Sequence, residues 1–317
     1  MNRIAIVTRD CGGVNAAIRA VVRTASARGL EVLGVMRGYE GLIHGDFVPL
    51  DRRSVSGIIN LGGTILKSAR SEGFFTDEGQ KKALEAVRAK AVDGLIVIGG
   101  NGSLAGAHVL ADRYGVPVVG VPATIDNDIN GVDLSIGADT AVNVALDAVD
   151  KIRDTATSLE RIFVVEVMGR SCGYLAMQVA LAGGCEEVIL PEKTFDMTAI
   201  SDEIRAGNAR GKVSWILIVA EGIARAEDVA AAISMNTGLE TRIAVLGHIQ
   251  RGGRPTAVDR LLAAKLGHQA VLTLTEGGSD VCISLKDDRP FLVPLATAIR
   301  PKTVETDADY ELLKVLS

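Results

Sequence analysis

Apolar positions along the chain fall into two kinds of run. Short, β-branched stretches recur as IAIV from residue 4, EVLGVM from 31, GLIVIGG from 94, PVVGVP from 117, RIFVVEVMG from 161, SWILIVAEG from 214 and RIAVLGHI from 242. Their near-continuous hydrophobicity predicts buried strands. Between them apolar residues return at helical spacing over 15–28, 78–91, 138–153, 172–182 and 228–237, which predicts helices. Strand and helix in alternation mean βαβ units, right-handed crossovers and a mostly parallel sheet, an α/β fold. With 317 residues the chain exceeds the roughly 250–300 at which a single core stops growing, so two domains are expected. There is neither an internal repeat nor a low-complexity linker, and the helix beginning near Gly137 is the expected crossing point.

Composition narrows the function classes. Aromatic residues make up only 3% and the formal net charge is −5, so no stacking platform for bases is expected and a nucleic-acid backbone is repelled. A small substrate is expected instead. The four cysteines, Cys11, Cys172, Cys185 and Cys282, form no C-x-x-C pair, which suggests neither zinc nor a disulfide framework and points to a reducing compartment. The apolar run in MNRIAIVTRD is shorter than a signal-peptide core and no window is long enough to span a bilayer, so a cytoplasmic protein without a membrane partner is expected.

In open α/β sheets ligands bind beyond the carboxyl ends of strands, so the residues after each run carry the chemistry. In IVIGGNGSLAGA, 96–107, a strand ends in Gly99-Gly100 and Asn101, Gly102 and Ser103 lead into a helix. Bare glycine backbone can approach phosphate oxygens, Ser103 can cap the helix, and a helix N-terminus favours an anion. A tight corner without ligand is the alternative. A dinucleotide fingerprint is a rival, but the next strand ends at Pro122 without the acidic residue that motif requires. In VPATIDNDINGVD, 121–133, Asp126 and Asp128 flank Asn127; one carboxylate can take a proton while the other holds a metal, or the stretch is an Asx turn satisfying its own backbone. Later strand ends carry Met168-Gly169-Arg170, Glu221-Gly222, Arg242 and the run GHIQRGGR from 247, and several arginines on loops suit a phosphorylated substrate.

GGNGS, PATIDNDI, VVEVMGRSCGYLA, AEG and TRIAVLGHIQRGG, in this order and spacing, resemble the phosphofructokinase family, from the first strand to about residue 260. The resemblance implies two α/β domains with the active site between them: a larger donor-binding domain of 1–137 plus 251–303, and a smaller sugar-phosphate-binding domain of 138–250 plus 304–317. It implies transfer of a terminal phosphoryl group to the 1-hydroxyl of fructose 6-phosphate with Mg2+. By similarity, Asp126 would accept the hydroxyl proton, Thr124 would orient the phosphoryl group, Arg170 would stabilise its developing charge, and Asp128 with Asn101 would hold the metal. Tyr39, Arg70, Gly100, Asn101, Gly102, Ser103 and Gly106 would meet the nucleotide. Met168, Gly169, Glu221, His248 and Arg251 would bind the sugar phosphate, joined by Arg161 and Arg242 of a neighbouring subunit, which implies an oligomer, typically a homotetramer. Arg19 and Arg23, four apart on one helix face, match with Arg52, Arg153, Glu186, Arg210 and Lys212 an effector site for nucleoside diphosphate or phosphoenolpyruvate.

The departures from the family pattern lie on the donor side. Asn101 stands where aspartate is usual, Lys67 in GGTILKSAR where glycine is usual, and in VTRDCGGVNAAIR the loop is two residues shorter with Arg9 at a glycine position. Ala123 and Gly102 argue for ATP, since pyrophosphate users carry lysine and aspartate there. A pyrophosphate-dependent enzyme and a catalytically weak sugar-phosphate-binding homologue remain alternatives, with a nicotinamide-dependent dehydrogenase disfavoured.

Overall fold

The computed structural model describes residues 1–317. In chain order the elements are β1 (Arg3–Thr8), α1 (Val14–Ala27), β2 (Glu31–Val35), α2 (Tyr39–His44), β3 (Phe47–Leu50), α3 (Asp77–Ala89), β4 (Gly94–Gly99), α4 (Asn101–Tyr114), β5 (Val118–Pro122) and α5 (Ala138–Leu159), followed by β6 (Ile162–Val167), α6 (Tyr174–Ala182), β7 (Glu187–Ile189), α7 (Met197–Ala209), β8 (Trp215–Ala220), α8 (Ala226–Thr237), β9 (Thr241–Val245), α9 (Ala257–Thr275), β10 (Val281–Lys286), β11 (Arg289–Pro294), α10 (Leu295–Ala298) and α11 (Asp307–Leu316). The chain divides into two compact units, Met1–Thr140 with Arg251–Lys302 and Ala141–Gln250 with Thr303–Ser317.

The first unit is built on a seven-stranded sheet in the order β11-β10-β5-β4-β1-β2-β3. Its five inner strands run parallel, while β3 and β11 are antiparallel edges. The parallel strands are buried on both faces, with Ile4, Ile6, Leu95, Ile96 and Ile98 fully buried, as expected of a sheet covered by helices on either side. The order reverses between β1 and β4, where Thr8 pairs with Ile98, so a ligand crevice is expected at those two carboxyl ends. The second unit holds an all-parallel sheet in the order β7-β8-β6-β9.

All seven predicted strands form. One is not buried as expected: β9 is an edge strand, with Ile243 44% and Val245 52% exposed. Four further strands lack the signal. β3 and β11 contain prolines, which edge strands tolerate, and β7 has only three residues. β10, VCISLK, runs apolar for only three residues before Ser284 and Lys286 interrupt it.

The start of α5 is held from elsewhere in the first unit. Asp259, fully buried, accepts the Gly137 and Thr140 N–H groups at 2.8 Å each and the Thr140 hydroxyl. Burial pushes its carboxyl above the usual range against the pull of these three donors. Asp259→Ala leaves two helix-start donors without partners and is expected to cost about 2 to 4 kcal/mol, read as a lowered urea midpoint at unchanged m-value.

Candidate active site

At the reversal of strand order, the Arg9 N–H donates to the Ile98 carbonyl at 3.0 Å, joining the ends of β1 and β4. The turn that follows reaches α1 through Gly13, whose φ of +95° suits glycine. Cys11 is a packed corner here: its thiol donates to the Ile136 carbonyl at 3.3 Å, and burial, with Asp259 adding to it, pushes its pKa well up. Asn15, buried at the head of α1, donates to the Leu61 and Gly62 carbonyls and accepts from the Ile65 N–H, so it fixes the 61–66 loop. Arg9 continues that tie, donating to the Ala69 carbonyl at 2.9 Å beside the exposed Arg70. Lys67 is exposed with a φ of +59°, a left-handed position that explains the preference for glycine there.

Beyond β4, Gly100 is the N-cap of the 14-residue α4, and no side chain caps it. The expected Ser103 cap is not made: the helix starts at Asn101, which places Ser103 inside the first turn, buried, so the end stays open to an anion. A Cβ at Gly100 would lie 3.2 Å from that of Thr124, while Gly102 faces open space. Tyr39 covers the other side, its ring where a Gly106 side chain would be, stacked on Phe74 at 4.1 Å. Its hydroxyl donates to the Ser103 carbonyl at 2.6 Å, and burial raises its pKa.

β5 leads into the third part. Asn127 has a φ of +50°, and both ends of its side-chain amide are bonded: Oδ1 accepts the Ser135 N–H at 2.9 Å and Nδ2 donates to the Asp133 carbonyl at 3.0 Å. These bonds reach six and eight residues along the chain, so Asn127 ties the 127–135 loop together and does not make an Asx turn, whose bond would reach two residues on. Asp126 is buried, its N–H donating to Thr124 Oγ1 at 3.2 Å. Asn101 Nδ2 donates to the Asp128 carbonyl at 3.0 Å, and Asn101 Oδ1 and Asp128 Oδ1 are buried oxygens without a hydrogen-bond partner. Two such hard oxygens fit a divalent cation that keeps water or phosphate for its remaining positions. No cluster of three or more His, Cys, Asp or Glu side chains offers a protein-only cage.

In the second unit Met168, Gly169 and Arg170 follow β6, Glu221 follows β8 and His248 follows β9, whereas Arg161 precedes β6 and Arg242 stands at the start of β9 rather than at a strand end; Arg251 belongs to the first unit. The Met168 N–H donates to Gln250 Oε1 at 2.8 Å, and the Arg170 N–H to Glu221 Oε1 at 3.1 Å. Gly169 has a φ of +137° and Arg170 one of +53°, so this loop is bent into a conformation that its neighbours must hold. Buried Gln250 lies on the same short turn as His248, Gly247–Arg251, and ties it to Met168. Glu240 bridges Arg161, at 3.0 Å, and Arg242, holding the two cations together.

The residues expected to hold an effector are divided between the two units. Arg153 donates to the Gly183 and Gly184 carbonyls, and buried Glu186 accepts the Ile216 N–H and pairs with Lys212 at 3.2 Å. Lys212 also lies over the Trp215 ring, and Arg210 is exposed at the end of α7. Arg19, Arg23 and Arg52 belong to the first unit, Arg19 and Arg23 half-buried on α1.

The family profile described as Phosphofructokinase matches residues 3–274. An ATP-dependent 6-phosphofructokinase of Thermotoga neapolitana is 48% identical over 319 aligned residues, covering all of both chains. An ATP-dependent 6-phosphofructokinase 1 of Thermus thermophilus is 49% identical over 321, again covering both fully. The solved structure of phosphofructokinase from Saccharomyces cerevisiae superposes with a TM-score of 0.88 at 34% identity, over 94% of this chain and 45% of that one. The chain thus belongs to the phosphofructokinase family of phosphotransferases.

Proposed function

We propose that the chain is an ATP-dependent 6-phosphofructokinase that moves the terminal phosphoryl group of ATP to the 1-hydroxyl of fructose 6-phosphate, giving fructose 1,6-bisphosphate in glycolysis. The observation that carries this reading is the 124–128 turn beside the open end of α4: an Asn127 tied to Asp133 and Ser135, between a buried Asp126 and an Asp128 oxygen without a hydrogen-bond partner. Phosphoryl transfer needs mainly positioning and charge neutralisation, and these groups supply both.

Asp126 takes the proton of the attacking hydroxyl, and Thr124 orients the phosphoryl group. Arg170 meets its developing charge. Asp128 and Asn101 would hold Mg2+, which when bound neutralises the donor phosphates. The α4 N-terminus, with Gly100, Gly102 and Ser103, receives the phosphate chain together with Arg70, and Tyr39 and Gly106 border the nucleotide. Met168, Gly169, Glu221, His248 and Arg251 bind fructose 6-phosphate, joined by Arg161 and Arg242 of a neighbouring subunit in a homotetramer. The donor-binding part is 1–137 with 251–303. Arg19, Arg23, Arg52, Arg153, Glu186, Arg210 and Lys212 take a nucleoside diphosphate or phosphoenolpyruvate, in a cytoplasmic enzyme. ATP is favoured over pyrophosphate because Ala123 places no cation beside the turn and Gly102 leaves room there.

Steady-state assays with fructose 6-phosphate, Mg2+ and ATP, ADP, GTP or pyrophosphate test the donor. ATP is expected to give the highest kcat/KM, and turnover with pyrophosphate but not ATP would overturn the reading.

A further inference from the structure

The carboxylate-bearing turn is held from the far end of the first unit. After α10, Pro301 forms an antiparallel bridge with Ile129, the Ala298 carbonyl accepts the Asn130 N–H at 3.1 Å, and the Thr297 carbonyl accepts Asn130 Nδ2 at 3.3 Å. The next residue along, Lys302, directs its ammonium into the turn: Nζ donates to the Asn127 carbonyl at 3.0 Å and to the Val132 carbonyl at 2.8 Å. Asn127 is the residue in the left-handed conformation, so its peptide orientation decides where the flanking Asp126 and Asp128 point.

We propose that Lys302 is a positioning residue for phosphoryl transfer, the group that fixes the Asn127 peptide and so sets the two neighbouring carboxylates in register with each other. This rests on the roles assigned to Asp126 and Asp128 above. An ammonium suits the task because it has three donors and no acceptor, so one group can serve two carbonyls. The side chain of Asn127 fixes the turn from one side through Asp133 and Ser135, and Lys302 fixes it from the other. With only the side-chain ties left, the turn retains its shape on average while the peptide between the carboxylates rocks. A displacement of that kind is small in stability but large in rate, since supporting groups of this sort are commonly worth 10- to 100-fold.

Lys302→Met keeps most of the stem and removes the donors; Lys302→Arg keeps charge and donors. Both are compared with the intact enzyme by ATP and fructose 6-phosphate kinetics, and by hydrogen exchange at the Ser135 amide, which donates to Asn127. Lys302→Met is expected to lower kcat by about 10- to 100-fold with little change in either KM, and Lys302→Arg to recover most of the loss. Ser135 exchange is expected to rise in Lys302→Met while β4 and β5 amides stay protected. Wild-type kcat in Lys302→Met, or equal losses of kcat and of β-sheet protection in both variants, would overturn the proposal. An intact chain that transfers nothing to fructose 6-phosphate, with Ser135 exchange still rising selectively, would remove the proposed function and leave Lys302 as the support of the turn.

Discussion

Asp126→Asn is expected to lower kcat with fructose 6-phosphate by about 10²- to 10⁴-fold, the usual worth of a positioned general base. The change is close to isosteric, and it keeps the backbone N–H that donates to Thr124 Oγ1. Asn127, with its bonds to Ser135 and Asp133, is untouched, so the turn should retain its shape. What is lost is the ability to accept a proton as the hydroxyl attacks. Because that interaction belongs to the transition state, KM for fructose 6-phosphate should move little. A variant with near wild-type kcat would show that the proton leaves by another route.

The second large effect is expected at Gly222. A Cβ there would lie 1.7 Å from the Arg170 carbonyl oxygen and 2.5 Å from its carbonyl carbon, both backbone atoms that no rotamer change can move aside. Arg170 is already in the left-handed region and Gly169 in a conformation that suits glycine, so the loop has little freedom to give way. Gly222→Ala should therefore push Arg170 from its place against Glu221. Overpacking of this kind costs about 1 to 3 kcal/mol, and moving a charge-stabilising group by an ångström costs about 100-fold in rate. Kinetics paired with urea unfolding measure both: a large fall in kcat with a modest fall in stability is expected, and unchanged kcat would remove Arg170 from the reaction.

Much of this site is legible in the sequence because strand ends announce it. Gly99-Gly100, the PATIDNDI turn and Met168-Gly169-Arg170 each follow an apolar run, and the runs became strands. The helix cap went astray by a small margin in chain and a large one in consequence: α4 begins at Asn101, so Ser103 turned inward and the N-terminus stayed open. The supporting residues were not legible for a different reason. Lys302 reaches Asn127 across 175 positions and Gln250 reaches Met168 across 82, and no local pattern marks such hydrogen bonds. Glu240 is similar, an ordinary charge until β9 and β6 lie side by side and bring Arg242 and Arg161 to it. Asn127 did carry a signal, since an Asn between two Asp is prone to the left-handed conformation. In the first unit's edges the limit was physical as well: prolines in β3 and β11 disguise strands that need few inward hydrogen bonds.

The reaction is defined by the bond that is made. Phosphorus NMR of a reaction containing the enzyme, Mg2+, ATP and fructose 6-phosphate follows it directly. The γ-phosphate resonance of ATP is expected to decline as a new phosphate monoester grows at the sugar C1 position, leaving the 6-phosphate in place. Growth of free inorganic phosphate alone, or a C1 phosphate that forms only when pyrophosphate replaces ATP, would contradict it.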